Sequence, residues 1–301
     1  MDESSNSSYI CVRNQVEMIL ELYNDINRFI DDTFDILAEN EIQNNVIIGN
    51  CIKGRDGLDS SNWFLATIKD DSGAIRLIAM MTPPYNLCLY ETGNTRDDGI
   101  LNLFAKELAA LNIAVPGIIT EKSLAARFSD IYLPDASKNN IKVTNMRVFR
   151  LDKVSDIPIS KGKLRLATEN DLYFLPYWHI YFSLDCGIHG SDMQSAIEKD
   201  KSFLNSKSLY VWEDDFPVSQ AAMGRKTLNS AVVSYVYTPP YFRGKGYASA
   251  CVASLSRHLL ESGYKSCSLF TDLSNPVSNS IYMKIGYKPV CDFDEYKFAG
   301  M

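Results

Sequence analysis

A strand that runs into a basic, glycine-rich turn and then into a helix constrains this fold more than any other sequence feature. The strand candidate is Ala231–Tyr237, which is rich in β-branched and aromatic residues. The turn contains Arg243, Gly244, Lys245 and Gly246. Apolar residues at helical spacing follow it: Ala248, Val252, Leu255 and Leu259. A helix that starts behind such a turn presents free backbone N–H groups at its positive end, which favours an anion there.

The composition of the turn indicates a phosphate as the anion. Gly244 and Gly246 lack the Cβ atoms that would hold a phosphate away from the backbone, and Arg243 and Lys245 add positive charge. A Walker loop is excluded because its Gly-x-x-x-x-Gly-Lys-Ser/Thr pattern is absent. A dinucleotide fingerprint would need a third glycine where Ser249 stands. An ordinary turn between a strand and a helix is the structural alternative.

A second pattern predicts a short helix some 30 residues further along the chain. Asn275 is a favoured capping residue, Pro276 fits the first turn of a helix, and Gly286 fits its C-terminal stop. Ile281 and Ile285 are one turn apart and are expected to face the core. Tyr282, which follows Ile281, is therefore expected on a neighbouring flank of the helix.

Together these two patterns resemble the signatures of the GNAT superfamily of acetyl-CoA-dependent N-acetyltransferases. The turn over residues 243–248 resembles the family's pyrophosphate loop, Arg-x-x-Gly-x-Ala. The second stretch resembles the family's Asn, then a helix carrying Tyr, then Gly and an aromatic, with Asn275, Tyr282 and Gly286 in those places. The resemblance covers roughly residues 163–301, and the first half of the chain resembles the family only in its order of elements.

The resemblance implies a role for each matching residue. Main-chain groups of Val236, Tyr237 and Thr238, on a strand that diverges from its neighbour, would pair with the pantetheine amides and steady the thioester carbonyl. Asn275 would support the pantetheine arm, and Tyr282 would lie near the sulfur and protonate the departing thiolate. The pyrophosphate would be held by the residues of the turn: Arg243, Gly244, Lys245, Gly246, Tyr247 and Ala248.

The reaction implied is attack of a neutral primary amine on the carbonyl of acetyl-CoA, through an oxyanion held by backbone N–H groups. Acetyl-CoA would serve as co-substrate, and the acceptor amine is not identified. A base must remove a proton from the ammonium form of the acceptor. The candidates are Asp272 at a strand end and His179, Asp185 and His189 in the helical region that often shapes the acceptor pocket in this family. The alternative for each of these candidates is a purely structural role, as a lone histidine or an exposed loop carboxylate. His258 is expected to act as a favourable cap near the C-terminal end of its helix.

The order of predicted elements is similar in the two halves of the chain. In the first half the patterns predict a helical stretch from Val16 through Ile30, strands Trp63–Lys69, Ile75–Met81, Asn86–Glu91 and Met146–Leu151, and helices Asp98–Leu111 and Glu121–Ser129. In the second half they predict helices Glu169–Tyr181 and Met193–Leu204, strands Ser208–Glu213, Val218–Arg225, Ala231–Tyr237, Ser266–Thr271 and Glu295–Phe298, and a turn over 214–217.

This succession predicts an α/β (α+β) protein with two GNAT-like units, each a mixed, mostly antiparallel sheet flanked by helices. The boundaries expected are a degenerate unit over 1–150, a linker over 151–162 and a catalytic unit over 163–301. The first unit is expected to be degenerate because its turn over 92–98 has one glycine and two acids, Asp97 and Asp98, which would repel a pyrophosphate. We expect this unit to pack against the active one.

Composition limits the class of partner. The net charge of −7 argues against broad nucleic-acid binding, which needs an excess of Lys and Arg. No apolar run reaches the roughly 18 residues of a membrane span, and the polar start lacks the features of a signal peptide, so a cytoplasmic protein is expected. The seven cysteines form no CxxC pair, which argues against zinc. A CoA-binding sensor without turnover and an aminoacyl-transfer enzyme, in which paired GNAT-like units also occur, stay open as alternatives.

Overall fold

The computed structural model describes residues 9–13, 16–93, 96–133, 140–187 and 192–298 of the 301-residue chain. The strands in these ranges are β1 Tyr9–Arg13, β2 Val16–Leu22, β3 Phe64–Lys69, β4 Ile75–Met81, β5 Cys88–Glu91, β6 Gly117–Glu121, β7 Asn140–Leu151, β8 Lys163–Leu166, β9 Leu209–Asp214, β10 Phe216–Lys226, β11 Ser230–Tyr237, β12 Ser266–Asp272 and β13 Lys288–Phe298. The helices are α1 Ile26–Glu39, α2 Asn45–Arg55, α3 Asp98–Ala110, α4 Lys122–Tyr132, α5 Leu175–Asp185, α6 Met193–Asn205, α7 Tyr247–Glu261 and α8 Pro276–Ile285.

These elements form two compact units that are not continuous in sequence. Unit 1 comprises the residues up to Val148, the segment Asp272–Ser274 and the residues from Val290 onward. Unit 2 comprises Phe149–Thr271 and Asn275–Pro289.

Unit 1 is built on an antiparallel sheet in the order β1-β2-β3-β4-β5. A parallel bridge joins Leu87, just before β5, to Ile118 of β6, and β6 pairs antiparallel with β13. Alternate residues of β4 face opposite sides of this sheet, as the period of a strand requires. Ile78 and Met80 pack with α1 and α2, whereas Leu77 and Ala79 pack with α3 and α4.

Unit 2 has the same layout. Strands β8 to β11 form an antiparallel series, and β12 then pairs parallel with β11. One core lies under α7 and α8 and includes Val252, Leu255 and Ile285. A second core under α5 and α6 includes Trp178 and Phe203.

In both units a strand, two helices, three antiparallel strands, a helix, a strand and a helix follow one another. The predicted fold class, two mostly antiparallel sheets flanked by helices, is therefore confirmed. Strands β5 and β11 are equivalent in this order, because each precedes the third helix of its unit.

The predicted helix from Val16 is wrong in its first part, because Val16–Leu22 is strand β2. Its apolar residues also fit a strand, and pairing with β1 and β3 on both sides decides between the two. The helix begins only at Ile26, after Asp25, whose side chain accepts a hydrogen bond from the Asn27 N–H at 2.9 Å. The patterns also missed helix α2.

The turn predicted over 214–217 is shorter in the structure. Phe216 pairs with Asp214 across β9 and β10, which leaves Asp215 alone at the tip with a φ of 62°. Gly286 ends α8 with a φ of 112°, as its position in the pattern predicted.

Replacing Asp25 with Ala removes the side chain that caps α1. We expect Asp25→Ala to lower the free energy of unfolding by about 1 kcal/mol, because one orphan N–H loses its partner. The matched control is Asp35→Ala on the exposed face of the same helix, with a change within about 0.5 kcal/mol. Urea unfolding followed by circular dichroism measures both, and equal effects of the two changes would contradict the assigned cap.

Candidate functional site

Strand β11 carries an irregularity close to its C-terminal end. Ala222 of β10 is opposite Ser234, but Gln220 is opposite Tyr237, so β11 has one extra residue between these pairs. The extra residue forms a β-bulge, and within it Tyr235 has a φ of 51°. The bulge changes the direction of the main-chain groups that follow Tyr235.

The same end of β11 diverges from its parallel neighbour. The ladder joins Ser230–Val232 to Ser266–Ser268, and beyond it β11 continues to Tyr237 and β12 to Asp272. Backbone groups of strands that part need other partners. This divergence, expected from the family resemblance, places Val236 where an extended ligand could pair with the strand.

The turn after β11 leads into an uncapped helix. Gly244 and Gly246 have φ values of 77° and 79°, and Gly246 is the N-cap residue of α7. Among the residues that the structure describes, no side chain caps this helix end. A Cβ atom on Gly246 would lie 2.6 Å from Ser160 Oγ, which itself donates to the Lys245 carbonyl at 2.8 Å. The first N–H groups of α7, which include those of Tyr247 and Ala248, are therefore available to an anion.

The two cationic side chains of the turn have different surroundings. Arg243 donates from Nε to the Thr238 carbonyl at 2.9 Å and from Nη2 to Asp185 at 2.5 Å. This ion pair is half exposed and therefore weak. The Lys245 ammonium lies over the exposed ring of Tyr241, 4.9 Å from its centroid. Both cations belong to exposed residues of the turn, so either can turn toward a bound anion.

Three residues that the sequence analysis did not select hold the turn in place. The Tyr247 hydroxyl donates to Asp214 at 2.6 Å, and Lys161 pairs with the same carboxylate at 3.2 Å. The hydrogen bond from Tyr247 is the main cause of the lowered pKa of Asp214. Ser160, described above, is the third residue. Nothing in the local sequence indicates these contacts, since they join positions 33 or more residues apart.

Helix α8 begins and ends as its sequence predicted. Asn275 accepts a hydrogen bond from the Ser278 N–H at 3.0 Å, and Pro276 is the first helical residue. Tyr282, on the same helix, is 8% exposed and packs against Phe149 at 6.4 Å and Tyr287 at 6.0 Å between ring centroids.

Burial raises the pKa of Tyr282, so its hydroxyl keeps its proton at neutral pH. This hydroxyl forms no hydrogen bond with any residue that the structure describes. The hydroxyl is therefore protonated and can act as a hydrogen-bond donor. Tyr282 is more buried than its predicted place on a neighbouring flank of the helix implied.

The candidate bases have distinct environments. His179 and Asp200 are both buried, and His179 Nδ1 lies 3.3 Å from Asp200 Oδ1. Asp185 is paired with Arg243, as described above. The Asp272 carboxylate accepts a hydrogen bond from the Ser274 N–H at 2.7 Å. His189 lies outside the described residues. His258 lies in the last turn of α7, where a cation is favoured, as expected.

The equivalent helix start in unit 1 is occupied by carboxylates. Asp97 caps α3 by accepting from the Gly99 N–H at 2.8 Å. Asp98 pairs with Arg127 at 2.7 Å, and Arg127 also pairs with Glu91 at 2.7 Å. An anion at this position would meet negative charge instead of free N–H groups.

Within the described ranges, no group of three or more His, Cys, Asp or Glu side chains is arranged to hold a metal ion. Within the same ranges, no helix is both long enough and apolar enough to span a membrane.

The two units, each with a mostly antiparallel sheet flanked by helices, have the fold of solved GNAT acetyltransferases, one of them a tandem GNAT protein. The fold that the resemblance implied is therefore confirmed. Residues 215–296 match the family model of the FR47-like protein. No curated protein sequence matches the chain.

Solved structures agree with this fold. A GNAT-family acetyltransferase from Colwellia psychrerythraea has a TM-score of 0.57 at 11% identity, over 93% of this chain and 99% of that chain. A tandem GNAT protein from the clavulanic acid biosynthesis pathway has the same TM-score at 11% identity, over 94% and 99%. A GCN5-related N-acetyltransferase from Sphaerobacter thermophilus has a TM-score of 0.59 at 12% identity, over 83% and 84%.

Asn275 offers a test of local structure at this site. Asn275→Ala should lower the free energy of unfolding by about 1 kcal/mol through loss of the cap, whereas Asn275→Asp should keep it. Thermal unfolding measures both variants. If the two variants lose stability equally, Asn275 is not a cap. A lower affinity of Asn275→Asp for acetyl-CoA at unchanged stability would reveal a direct ligand contact.

Proposed function

We propose that the chain is an N-acetyltransferase that transfers the acetyl group of acetyl-CoA to a primary amine, with unit 2 as the catalytic unit. The observation that carries this proposal is the uncapped start of α7 behind a cationic turn with Gly246 at its end, next to the bulged strand. Unit 1 is proposed to be a non-catalytic GNAT-like partner, since Asp97 fills the corresponding position. A cytoplasmic location is part of this proposal.

The turn fits a pyrophosphate because it combines free N–H groups with positive charge and with open space beside Gly244. Gly246 adds no side chain at the helix start, the α7 N–H groups donate, and Arg243 and Lys245 supply positive charge. The remaining turn residues proposed to line the cofactor site are Gly244, Tyr247 and Ala248. Exchanging the exposed Asp185 for a phosphate as the partner of Arg243 costs little, because a surface ion pair is weak.

The diverging strand fits the pantetheine arm and the thioester. The carbonyls of Tyr237 and Thr238 each accept a side-chain hydrogen bond, from Ser219 at 3.1 Å and from Arg243 at 2.9 Å, and a carbonyl oxygen has two lone pairs. Main-chain groups of Val236 follow the bulge, where the acetyl carbonyl is proposed to lie. Asn275 is proposed to support the arm at the start of α8.

In the transfer itself, a neutral amine attacks the acetyl carbonyl and backbone N–H groups near Val236 stabilise the oxyanion. The tetrahedral intermediate then collapses, the carbon–sulfur bond breaks, and the Tyr282 hydroxyl donates a hydrogen bond to the sulfur as its negative charge develops. The thiolate takes up its proton later, through solvent. The amine loses its second proton to a base. His179, Asp185 and His189 stay candidates for that base, as does Asp272.

A panel of primary amines, tested for acetyl-CoA-dependent thiol release by the full chain, examines the activity directly. Turnover with an amine supports the acetyltransferase. Tight binding of acetyl-CoA without turnover for any amine would favour the sensor. Transfer from an aminoacyl-tRNA would favour the third class, for which the net charge of −7 is unfavourable.

Gly246→Asp should abolish acetyl-CoA binding while the overall fold is kept, because it adds a negative charge at the helix start and a Cβ that displaces Ser160 from the turn. Each charge-assisted hydrogen bond lost is worth roughly 1.5–3 kcal/mol. Calorimetry on the parent should give one site per chain. Gly263→Asp is the control, since Gly263 also has a positive φ, of 107°, and open space around it. Unchanged affinity in Gly246→Asp, or two equivalent sites in the parent, would exclude this assignment.

Tyr282→Phe keeps the ring and its packing but removes the hydroxyl that is proposed to stabilise the departing thiolate. We expect turnover to fall about a hundredfold, at the low end for acid catalysis, with the acetyl-CoA dissociation constant nearly unchanged. Because burial raises the pKa of Tyr282, its ionisation should cause no loss of activity below about pH 10.

The matched control is Tyr287→Phe, which removes a second buried hydroxyl from the same core, one bonded to Ser256 at 2.8 Å. It should leave turnover unchanged. A large loss of affinity with normal turnover in Tyr282→Phe would make Tyr282 a binding residue, and no change in either quantity would make it a packing residue.

A further inference from the structure

Tyr235 adopts a conformation that its chemistry disfavours. Four non-glycine residues among those described have a positive φ, and three of them lie in turns: Asn112, Lys207 and Asp215. Tyr235 lies inside strand β11, with a φ of 51°. A Cβ atom clashes with the backbone in this region, so such a residue persists only where its surroundings enforce it. The question is therefore what enforces it here.

Side chains from α5 and α6 surround the Tyr235 ring. Between ring centroids, His179 lies at 5.1 Å and Phe182 at 5.0 Å on α5, and Phe203 lies at 4.9 Å on α6. The Lys199 ammonium lies 5.9 Å from the centre of the same ring. These distances are those of favourable aromatic and cation–π contacts. We call His179, Phe182 and Phe203 the ring clamp.

The ring clamp is itself fixed by a buried polar contact. His179 Nδ1 lies 3.3 Å from Asp200 Oδ1, and the two residues are 7% and 2% exposed. This contact joins α5 to α6 and restrains the imidazole that packs on Tyr235. Buried polar pairs of this kind fix one arrangement, because either group is costly without its partner.

We propose that Tyr235 is a positioning residue for acetyl transfer, because the ring clamp holds it in the left-handed conformation and so keeps β11 bulged. This inference rests on the proposed function, which assigns the acetyl carbonyl to main-chain groups of Val236. The register of β11 shifts between Ser234 and Tyr237, so the conformation of Tyr235 sets the direction of those groups. Binding of the pyrophosphate depends on the turn and not on Tyr235.

The test compares four substitutions in the full chain. Tyr235→Val removes the ring and inserts a β-branched residue, which tolerates a positive φ poorly. Turnover with the best amine should fall at least about tenfold, since small displacements of reacting groups cost up to about a hundredfold. The acetyl-CoA dissociation constant should change by a smaller factor than turnover, because the pyrophosphate contacts of the turn stay in place. Tyr235→Phe keeps the ring, so its turnover should stay within about threefold of the parent.

Two further variants separate positioning from general damage. Phe203→Leu loosens the ring clamp and should lower turnover more than it lowers acetyl-CoA affinity. This variant tests the inference even if Tyr235→Val fails to fold. Asn112→Val replaces another residue of positive φ, 53°, in the turn after α3, and should leave turnover unchanged. Circular dichroism and calorimetry with acetyl-CoA check the folding of each variant.

Turnover of both Tyr235→Val and Phe203→Leu within about threefold of the parent would overturn the inference. Equal losses in Tyr235→Phe and Tyr235→Val would also overturn it, because the hydroxyl would then be the active group. A parallel loss of acetyl-CoA affinity and turnover would show general disruption instead of positioning. A parent chain that binds acetyl-CoA but acetylates no amine would overturn the proposed function, and the inference with it, whereas a working parent with unaffected variants overturns the inference alone.

Discussion

The site in unit 2 depends on where the parallel ladder between β11 and β12 stops, after Val232. Beyond that point, within the described residues, β11 continues without a parallel partner in the ladder. The bulge at Tyr235 and the start of α7 at Gly246 follow in the same stretch of chain. Each of these features costs stability when no ligand is bound, and such costs concentrate at functional sites. A ligand with amides and phosphates would satisfy the strand and the helix together.

Comparison with unit 1 indicates that the divergence of the two parallel strands follows from the fold, whereas the charge at the start of the next helix follows from the sequence. A parallel bridge at Leu87 and Ile118 is the counterpart of the short ladder in unit 2. The helix that follows, α3, has Asp97 as its cap and Asp98 in its first turn. The same topology therefore presents free N–H groups in one unit and carboxylates in the other. Fold similarity alone, at 11–12% identity, does not distinguish these two cases.

Local signals explain what the sequence could predict. The limits of α8 followed from Asn275 and Gly286, and the turn followed from its glycines and cations, because these signals act within a few residues. Val16–Leu22 was predicted wrongly because its pattern fits a helix or a strand, and distant strands decide. Tyr235 could not be found, since a bulge with a positive φ is usually marked by Gly, Asn or Asp. Its clamp comes from helices more than 30 residues away in sequence.

The burial of Tyr282 limits how much acid catalysis it can contribute. An alkyl thiol has a pKa of about 8.5 and an ordinary phenol about 10, and burial raises the pKa of Tyr282 further. Full proton transfer from this phenol to a free thiolate would therefore be uphill. A hydrogen bond to the sulfur as its charge develops is still favourable, and it strengthens where water is excluded. Tyr282 would thus stabilise the departing thiolate mainly by that hydrogen bond, while the proton lost by the amine can reach the thiolate through solvent later.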